Sequence, residues 1–319
     1  MTPDLASVAY GGPDDLLRMQ GALSRSWQLR RPFVNTTVGD LEWWLASAQP
    51  GTDWTDRIRL WPDPADPGGP VLGYGWFNPP DELDWHQRAG LAPGVRAALV
   101  DEALAWAASA ARTGAAAGGL DAPERLTAWA MDGDAELGAL LRERGFEPRA
   151  EATYTHFYRR LDGAPPPEPV LPPGYRIRHV RLPDDLPARV EVHRAAFAPS
   201  RMTIEKYEGL TRMRHYAPER DLVVEAPDGS FAAFTLAWLD RVAGLGEFEP
   251  VGTHPDHRRL GLARAVNLAG LRVLRDEGAR DCLVLSARSN AASEALYASA
   301  GFEAVSGHRA WSKPLAAAG

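Results

Sequence analysis

Hydrophobic positions recur in the same order in two stretches of the chain. Alternating or continuous apolar runs predict strands, and apolar residues three and four apart predict helices. The second stretch predicts strands and helices in the order strand Tyr175–Val180, helices Asp184–Phe197 and Thr203–His215, strands Asp221–Glu225, Phe231–Leu239 and Gly246–Thr253, helix Arg258–Glu277, strand Cys282–Ala287, helix Ala291–Ala300 and strand Ala310–Leu315. The first two strands of the middle group are joined through Pro227-Asp228-Gly229, a hairpin signal.

The first stretch repeats this order. It predicts helices Pro13–Trp27 and Val38–Ala48, strands Arg57–Trp61, Val71–Phe77 and Leu83–His86, helix Gly94–Arg112, strand Leu126–Met131 and helix Ala135–Arg144. The closing helix of each stretch ends in Gly-Phe, at Gly145-Phe146 and Gly301-Phe302. The shared order, lengths and endings favour a duplication over two unrelated domains, and the mixture of elements predicts an α+β fold.

A proline-rich segment separates the two stretches. Asp162–Gly174 contains six prolines and two glycines in thirteen residues, which no helix or central strand tolerates. We therefore predict a semi-rigid linker over 162–174 between domains at 1–161 and 175–319.

Composition narrows the class of protein. The 319 residues carry a formal net charge of −7, which argues against a nucleic-acid binder. The single cysteine, Cys282, excludes an intramolecular disulfide and any multi-cysteine metal site, and its apolar neighbours indicate a buried side chain. No apolar run reaches membrane-spanning length and the N-terminus does not resemble a secretory signal, so we expect a cytoplasmic protein without membrane or nucleic-acid partners.

The segment Glu247–Ala265 is the most informative about chemistry. A strand leads through a short turn into a long helix, and Arg258-x-x-Gly261-x-Ala263 stands at the helix start. A helix N-terminus offers unpaired N–H groups and a positive dipole end, and small residues let a pyrophosphate approach them. The Gly-Lys-Ser/Thr of a nucleotide-hydrolysing P-loop is absent. Taken alone, the pattern is equally consistent with an ordinary helix start.

A second motif lies downstream at Asn290-x-x-Ser-x-x-Leu-Tyr297-x-x-x-Gly-Phe302. Together the two motifs resemble the GNAT acyltransferase superfamily. The resemblance implies two GNAT-like domains, each with a mixed, mostly antiparallel sheet flanked by helices, and acetyl-CoA as cosubstrate without a metal. It also implies that coenzyme A is bound by Val251, Gly252, Thr253, Arg258, Arg259, Leu260, Gly261, Leu262, Ala263, Arg264 and Asn290.

The first half resembles the family in outline only. Counting back from Gly145 places Leu141 at the Tyr297 position and Asp134 at the Asn290 position, and Asp84–Val95 lacks the glycine motif. An acidic Asp134 would also repel a phosphorylated cosubstrate. We therefore expect a tandem protein whose N-terminal domain is degenerate and has lost coenzyme A binding.

Family chemistry implies direct attack by an amine in a ternary complex. Glu247 and Glu249 lie two apart on one strand and so share a face, where two like charges should raise the pKa of one of them and make it a suitable base. The resemblance slightly favours Glu247, which lies six residues before Thr253, where many family members carry their base, and Glu249, closer to the thioester, stays a candidate. By the resemblance, the backbone near Gly252 and Thr253 would hold the oxyanion, and Tyr297 would protonate the leaving thiolate.

The acceptor is left open by the sequence, which allows a small-molecule or peptide amine. Trp238, Trp311 and Trp43-Trp44 could line an acceptor pocket or belong to the core. His254 and His257 flank a turn, but the sequence suggests no further ligands for a metal there. The alternatives are an acyl-CoA-binding regulatory protein without catalysis, or a transferase that uses another acyl group or a hydroxyl acceptor. For any of these functions, the sequence allows a monomer or a homodimer.

Overall fold

The computed structural model describes residues 5–117 and 123–315. Its strands are β1 Val8–Ala9, β2 Ile58–Trp61, β3 Gly73–Asn78, β4 Glu82–Gln87, β5 Arg125–Met131, β6 Glu147–Arg160, β7 Arg176–His179, β8 Asp221–Glu225, β9 Phe231–Asp240, β10 Leu245–Thr253, β11 Asp281–Ala287 and β12 Glu303–Pro314. Its helices are α1 Pro13–Arg30, α2 Val38–Ser47, α3 Pro93–Ala117, α4 Ala135–Glu143, α5 Leu186–Ala196, α6 Ile204–Thr211, α7 Leu262–Asp276 and α8 Ala291–Ser299.

The chain forms two compact units that do not coincide with its two halves. Unit 1 comprises Met1–Thr37, Thr52–Thr155 and Ser306–Gly319, and unit 2 comprises Val38–Gly51 and His156–Val305. Helix α2 therefore belongs to unit 2, and most of β12 belongs to unit 1. The predicted boundaries at 161 and 175 miss both exchanges, because they rest on the linker and not on which apolar faces pack together.

Unit 1 has its strands in the order β1-β2-β3-β4-β5-β12. Neighbouring strands are antiparallel except β4 and β5, which are parallel. Helices α3 and α4 cover one face, where Leu104, Leu141 and Phe146 pack against Trp85 and Trp311. The indole of Trp311 is thus a core side chain of unit 1.

Unit 2 has its strands in the order β11-β10-β9-β8-β7, and the last residues of β6, from His156 to Arg160, belong to it as well. Strands β7 to β10 form antiparallel neighbours, and β10 and β11 are parallel. Every residue of β8 and β9 is buried, because helices cover both faces of these strands. Helices α7 and α8 supply one apolar layer, and α5, α6 and α2 supply the other.

The predicted α+β fold with mixed, mostly antiparallel sheets is confirmed, and most predicted elements agree with the structure to within a few residues. The helix predicted from Arg258 begins only at Leu262, because Arg259 and Gly261 have φ values of 68° and 76° that a right-handed helix excludes. The helix predicted to His215 ends at Thr211, and the backbone and ring N–H groups of His215 instead pair with Glu42. The two-residue strand β1 was not predicted, and β12 begins seven residues before the predicted strand.

The proline-rich segment is neither helix nor strand, as predicted. It is held along α7, since the Arg272 guanidinium donates to the Pro166 carbonyl at 2.8 Å and pairs with the Glu168 carboxylate at 2.5 Å. None of the helices in the described ranges is long and apolar enough to cross a bilayer.

Candidate active site

Strand β10 separates from its neighbour halfway along its length. Leu245, Gly246 and Glu247 pair with β11, whereas the pairing with β9 continues to Thr253. The register against β9 shifts by one residue between Phe248 and Val251, where Pro250 has no N–H to donate. The second half of β10 therefore keeps one paired edge and turns its other edge away from β11.

The turn after β10 brings the backbone to the start of α7 in a strained conformation. Arg259 is the only non-glycine residue with positive φ among the described residues, which costs on the order of 1 kcal/mol. Gly261 caps the helix, and its carbonyl accepts the first helical hydrogen bond, from Ala265 N–H at 3.0 Å. The N–H groups of the first turn thus have no helical partner, and a Cβ on Gly261 would meet nothing within 4 Å.

These N–H groups face a groove between α7 and α8. The groove encloses about 1610 Å³, counting the solvent at its open side. Of the predicted coenzyme A residues it is lined by Val251, Gly252, Thr253, Arg258, Arg259, Gly261, Leu262, Ala263, Arg264 and Asn290. Leu260 does not line the groove, and its side chain is 44% exposed. Phe197 at the end of α5 lines the groove without having been predicted, because no motif marks it.

Three of the groove residues also have structural roles. Asn290 caps α8, with its Oδ1 accepting from Ser293 N–H at 3.2 Å, which leaves the amide N–H groups to a ligand. Gly252 lies so close to α5 and β9 that a Cβ would come within 2.5 Å of the Phe234 ring and 2.9 Å of Ala196. Arg264 donates to the Ser299 carbonyl at 3.0 Å and so links α7 to α8.

Tyr297 lines the groove but is only 6% exposed. Its ring packs against Phe157 and Phe302, with centroid separations of 5.6 and 6.0 Å. Burial and, to a smaller extent, the negative charge of Glu249 raise the pKa of the phenol. The hydroxyl therefore keeps its proton at neutral pH and lies within electrostatic range of Glu249.

The two acidic residues of β10 differ in their surroundings. Glu247 is 2% exposed, and its Oε2 lies 2.5 Å from where a Cβ on Gly39 of α2 would stand. Burial and the neighbouring Asp40 raise the pKa of Glu249 from 4.5 to about 8, although the residue keeps some exposed surface. We expected Glu247 and Glu249 to raise the pKa of one of the two. That expectation was wrong for Glu249, because the like charge that acts on Glu249 is Asp40 of α2.

Aromatic side chains continue from the groove towards α2. The rings of His193 and Phe197 lie 4.9 Å apart, and the Trp43 ring of α2 lies 5.8 Å from His193. Burial and the nearby Arg189 lower the pKa of His193 to about 3, so this imidazole is neutral. Trp43 is half-buried, whereas Trp238 is buried in the core beneath it.

Two other sequence candidates have structural explanations. Cys282 is fully buried, and burial together with the charge of Glu247 raises the pKa of its thiol, so it is not an activated nucleophile. The ring of His254 accepts from Asp256 N–H, and His257 meets the Tyr175 hydroxyl at 2.9 Å, so both histidines stabilise the turn. Within 5–117 and 123–315, no group of three or more potential metal ligands is assembled.

In unit 1, ion pairs connect the starts of α3 and α4, the helices that correspond to α7 and α8 of unit 2. Arg96, in the first turn of α3, pairs with Asp134 and with Glu136 at the start of α4. Arg30 also pairs with Asp134, at 3.3 Å. Asp134 caps α4 as Asn290 caps α8, but its carboxylate is also paired with the guanidinium groups of Arg96 and Arg30. The starts of the two helices are therefore joined by side chains.

Comparisons with known proteins agree with this geometry. Residues 188–302 match the Acetyltransferase (GNAT) family. The mycothiol acetyltransferase of Frankia alni is 31% identical over 229 residues, which cover 66% of this chain and 65% of that relative. The mycothiol acetyltransferase of Segniliparus rotundus is 30% identical over 193 residues, which cover 54% of this chain and 68% of that relative. For four such relatives the match spans about half to two thirds of their length, from 49% to 65%.

Two solved structures share the fold over nearly the whole chain. One is a tandem GNAT protein from the clavulanic acid biosynthesis pathway, with a TM-score of 0.68, 18% identity and coverage of 99% of this chain and 100% of that one. The other is a GCN5-related N-acetyltransferase from Sphaerobacter thermophilus, with a TM-score of 0.64, 20% identity and coverage of 99% and 97%. At these identities the likeness establishes the fold alone.

A sheet that opens beside a glycine-led helix start defines the GNAT class of fold, and the predicted tandem GNAT architecture is confirmed. The chain belongs to the GNAT acetyltransferase family.

Proposed function

We propose that this protein is an N-acetyltransferase that moves an acetyl group from acetyl-CoA to a primary amine by direct attack in a ternary complex. The observation that carries the proposal is that the two sequence motifs line a single groove, with Tyr297 in it and Glu249 within electrostatic range. The catalytic groups of this proposal all lie in unit 2.

The residues of the groove fit a phosphorylated cosubstrate. The first turn of α7 offers N–H groups without helical partners, Gly261 leaves open space above them, and Arg258 and Arg259 add positive charge. Acetyl-CoA would supply the activated thioester. Arg258, Gly261 and Ala263 would hold its pyrophosphate, and the open edge of β10 would bind its pantetheine arm.

In the proposed reaction, Glu249 is the general base. It takes a proton from the acceptor nitrogen, which forms a bond to the acyl carbon while the carbon–sulfur bond breaks. With a pKa of about 8, only about one tenth of Glu249 is ionised at pH 7, and kcat/KM should rise with pH through that value. Backbone N–H groups at the open edge near Gly252 and Thr253 would stabilise the developing oxyanion.

Tyr297 is the proton donor to the leaving thiolate. The charge of Glu249 contributes to the raised pKa of this phenol, so the contribution disappears once Glu249 has accepted the proton of the amine. The phenol thus becomes a better donor after the base has acted. The order of events follows from the electrostatic coupling of the two side chains.

Unit 1, we infer, does not bind coenzyme A. The ion pairs of Arg96 with Asp134 and Glu136 join the helix starts that such a ligand would separate. One coenzyme A per chain is the expected stoichiometry.

The acceptor belongs to the amines, and the name of the relatives makes mycothiol-related amines the first to test. The full chain is incubated with acetyl-CoA and a panel of amines, and thiol release is followed. Glu249→Gln should lose at least about a hundredfold in kcat/KM, and Glu247→Gln is the matched control on the same strand. Coenzyme A binding without thiol release for any amine would favour a non-catalytic binding protein, and equal effects of the two variants would remove the assignment of the base.

A further inference from the structure

Helix α2 comes from the first half of the sequence but packs against the catalytic strand of unit 2. A Cβ on Gly39 would stand 2.4 and 2.6 Å from the Trp238 ring and 2.5 Å from Glu247 Oε2, so the helix backbone lies directly on β9 and β10. Any residue larger than glycine at position 39 would force the helix to move. The first turn of α2 is therefore fixed beside both glutamates of β10.

A hydrogen-bonded side chain further along α2 anchors the helix independently of Asp40. The fully buried Glu42 accepts from the His215 ring at 2.6 Å and from the His215 backbone N–H at 2.9 Å. Trp43 adds the aromatic contact with His193. Asp40 is 8% exposed, so its charge also lies inside the protein.

We propose that the first turn of α2 is part of the catalytic centre, with Asp40 as a positioning residue that acts on the acceptor amine through Glu249. The inference rests on the proposed function. It assigns a role in catalysis to a segment that the matched family region, residues 188–302, does not include.

The charges around Glu249 support this role. Asp40 of α2 and Tyr297 of α8 interact electrostatically with Glu249, and Glu247 lies two residues before it on the same strand, while His193 of α5 is neutral and Glu42 is paired with His215. On β11, Cys282 and Asp281 lie beside the paired half of β10. Asp40 is the charged group that acts on the pKa of Glu249, in the same direction as the larger effect of burial.

The consequence is a base whose strength is set by the first half of the chain. A carboxylate with a raised pKa binds the proton of the amine more firmly, at the cost of being less often ionised at neutral pH. Removing the charge of Asp40 should weaken the base and ionise more of it.

The test compares pH profiles of kcat/KM for the full chain and for Asp40→Asn, Glu249→Gln and Glu205→Gln. Glu205→Gln removes an exposed carboxylate from α6, which packs beside α2, and serves as the control for a general charge effect. In Asp40→Asn the inflection near pH 8 should move towards acid by roughly one pH unit, the usual size of a nearby-charge effect. The larger ionised fraction of Glu249 should by itself increase kcat/KM at pH 7 by about fivefold.

The outcomes separate the two claims. If Glu249→Gln retains the wild-type rate and profile, the assigned base of the proposed function is wrong. If Glu249→Gln is inactive while Asp40→Asn keeps the wild-type inflection, only the role of Asp40 is overturned. A lower rate in Asp40→Asn without a shift of the inflection indicates a structural role and also overturns the proposed role of Asp40. Thermal melting and coenzyme A affinity identify a variant that has failed to fold. Asp40→Glu, which keeps the charge, should retain the inflection near pH 8.

Discussion

The left-handed backbone at Gly261 allows a direct test of the cosubstrate groove by a single methyl group. In Gly261→Ala the new Cβ would meet no protein atom within 4 Å, so the substitution introduces strain but no clash. Alanine in the left-handed region costs about 1–2 kcal/mol, and the reduced freedom of its unfolded chain offsets about 0.4–1 kcal/mol. The free energy of unfolding should therefore fall by about 1 kcal/mol.

Gly278, just after the other end of α7, provides a matched control. Its φ is 96°, a Cβ there would also meet nothing within 4 Å, and it does not line the groove. Gly278→Ala should lose a similar amount of stability, seen as a drop of roughly 2–4 °C in the melting midpoint for each kcal/mol.

Coenzyme A affinity should separate the two variants. In Gly261→Ala the methyl group occupies the space above the first-turn N–H groups, so affinity measured by calorimetric titration should fall at least about tenfold, or 1.4 kcal/mol. Gly278→Ala should bind as the wild type does. Unchanged affinity in Gly261→Ala, or an equal loss in both variants, would refute the placement of the pyrophosphate over α7.

Two further predictions concern unit 2. Tyr297→Phe should lower kcat while leaving coenzyme A affinity within about twofold, since it removes a proton donor and keeps the ring that packs on Phe157 and Phe302; equal loss of both would contradict the donor role. Asp221→Asn should lower the free energy of unfolding by about 3–5 kcal/mol in denaturant titration, because Arg189, fully buried and 2.9 Å from that carboxylate, loses its counter-charge; a loss below about 1 kcal/mol would show that the pair contributes little.

Most groove residues could be predicted because they fall in two short segments of the sequence, 251–264 and 290–299. Arg258, Gly261 and Ala263 lie within six residues at the connection between β10 and α7. Asn290 caps α8, and Tyr297 lies on that helix. The helix start alone was equally consistent with an ordinary helix, and the second motif together with the family resemblance led to the prediction of a coenzyme A site. The start of α7 was placed four residues too early because apolar spacing does not show that Arg259 and Gly261 adopt positive φ.

The partner of Glu249 could not be predicted in this way. The segment Val38–Ala48 was predicted as a helix from its apolar spacing, and α2 is observed there. Which sheet covers an apolar helix face depends on tertiary packing, and Asp40 lies more than two hundred residues before Glu249 in the chain. The sequence alternation predicted a shared face for Glu247 and Glu249 but contained no information about the third carboxylate, Asp40.

The exchange of segments between the units has a consequence for synthesis of the chain. Strand β12, more than 170 residues after β5 in the chain, pairs with β5 inside unit 1 from His308 to Pro314. A chain emerging from the ribosome can complete unit 1 only after Pro314 has been translated, and until then the edge of β5 lacks this strand. Contacts of such long sequence separation slow folding. Unit 1 therefore needs β12 from the second half of the chain and unit 2 needs α2 from the first, so cutting the gene at the proline-rich segment would leave both products incomplete.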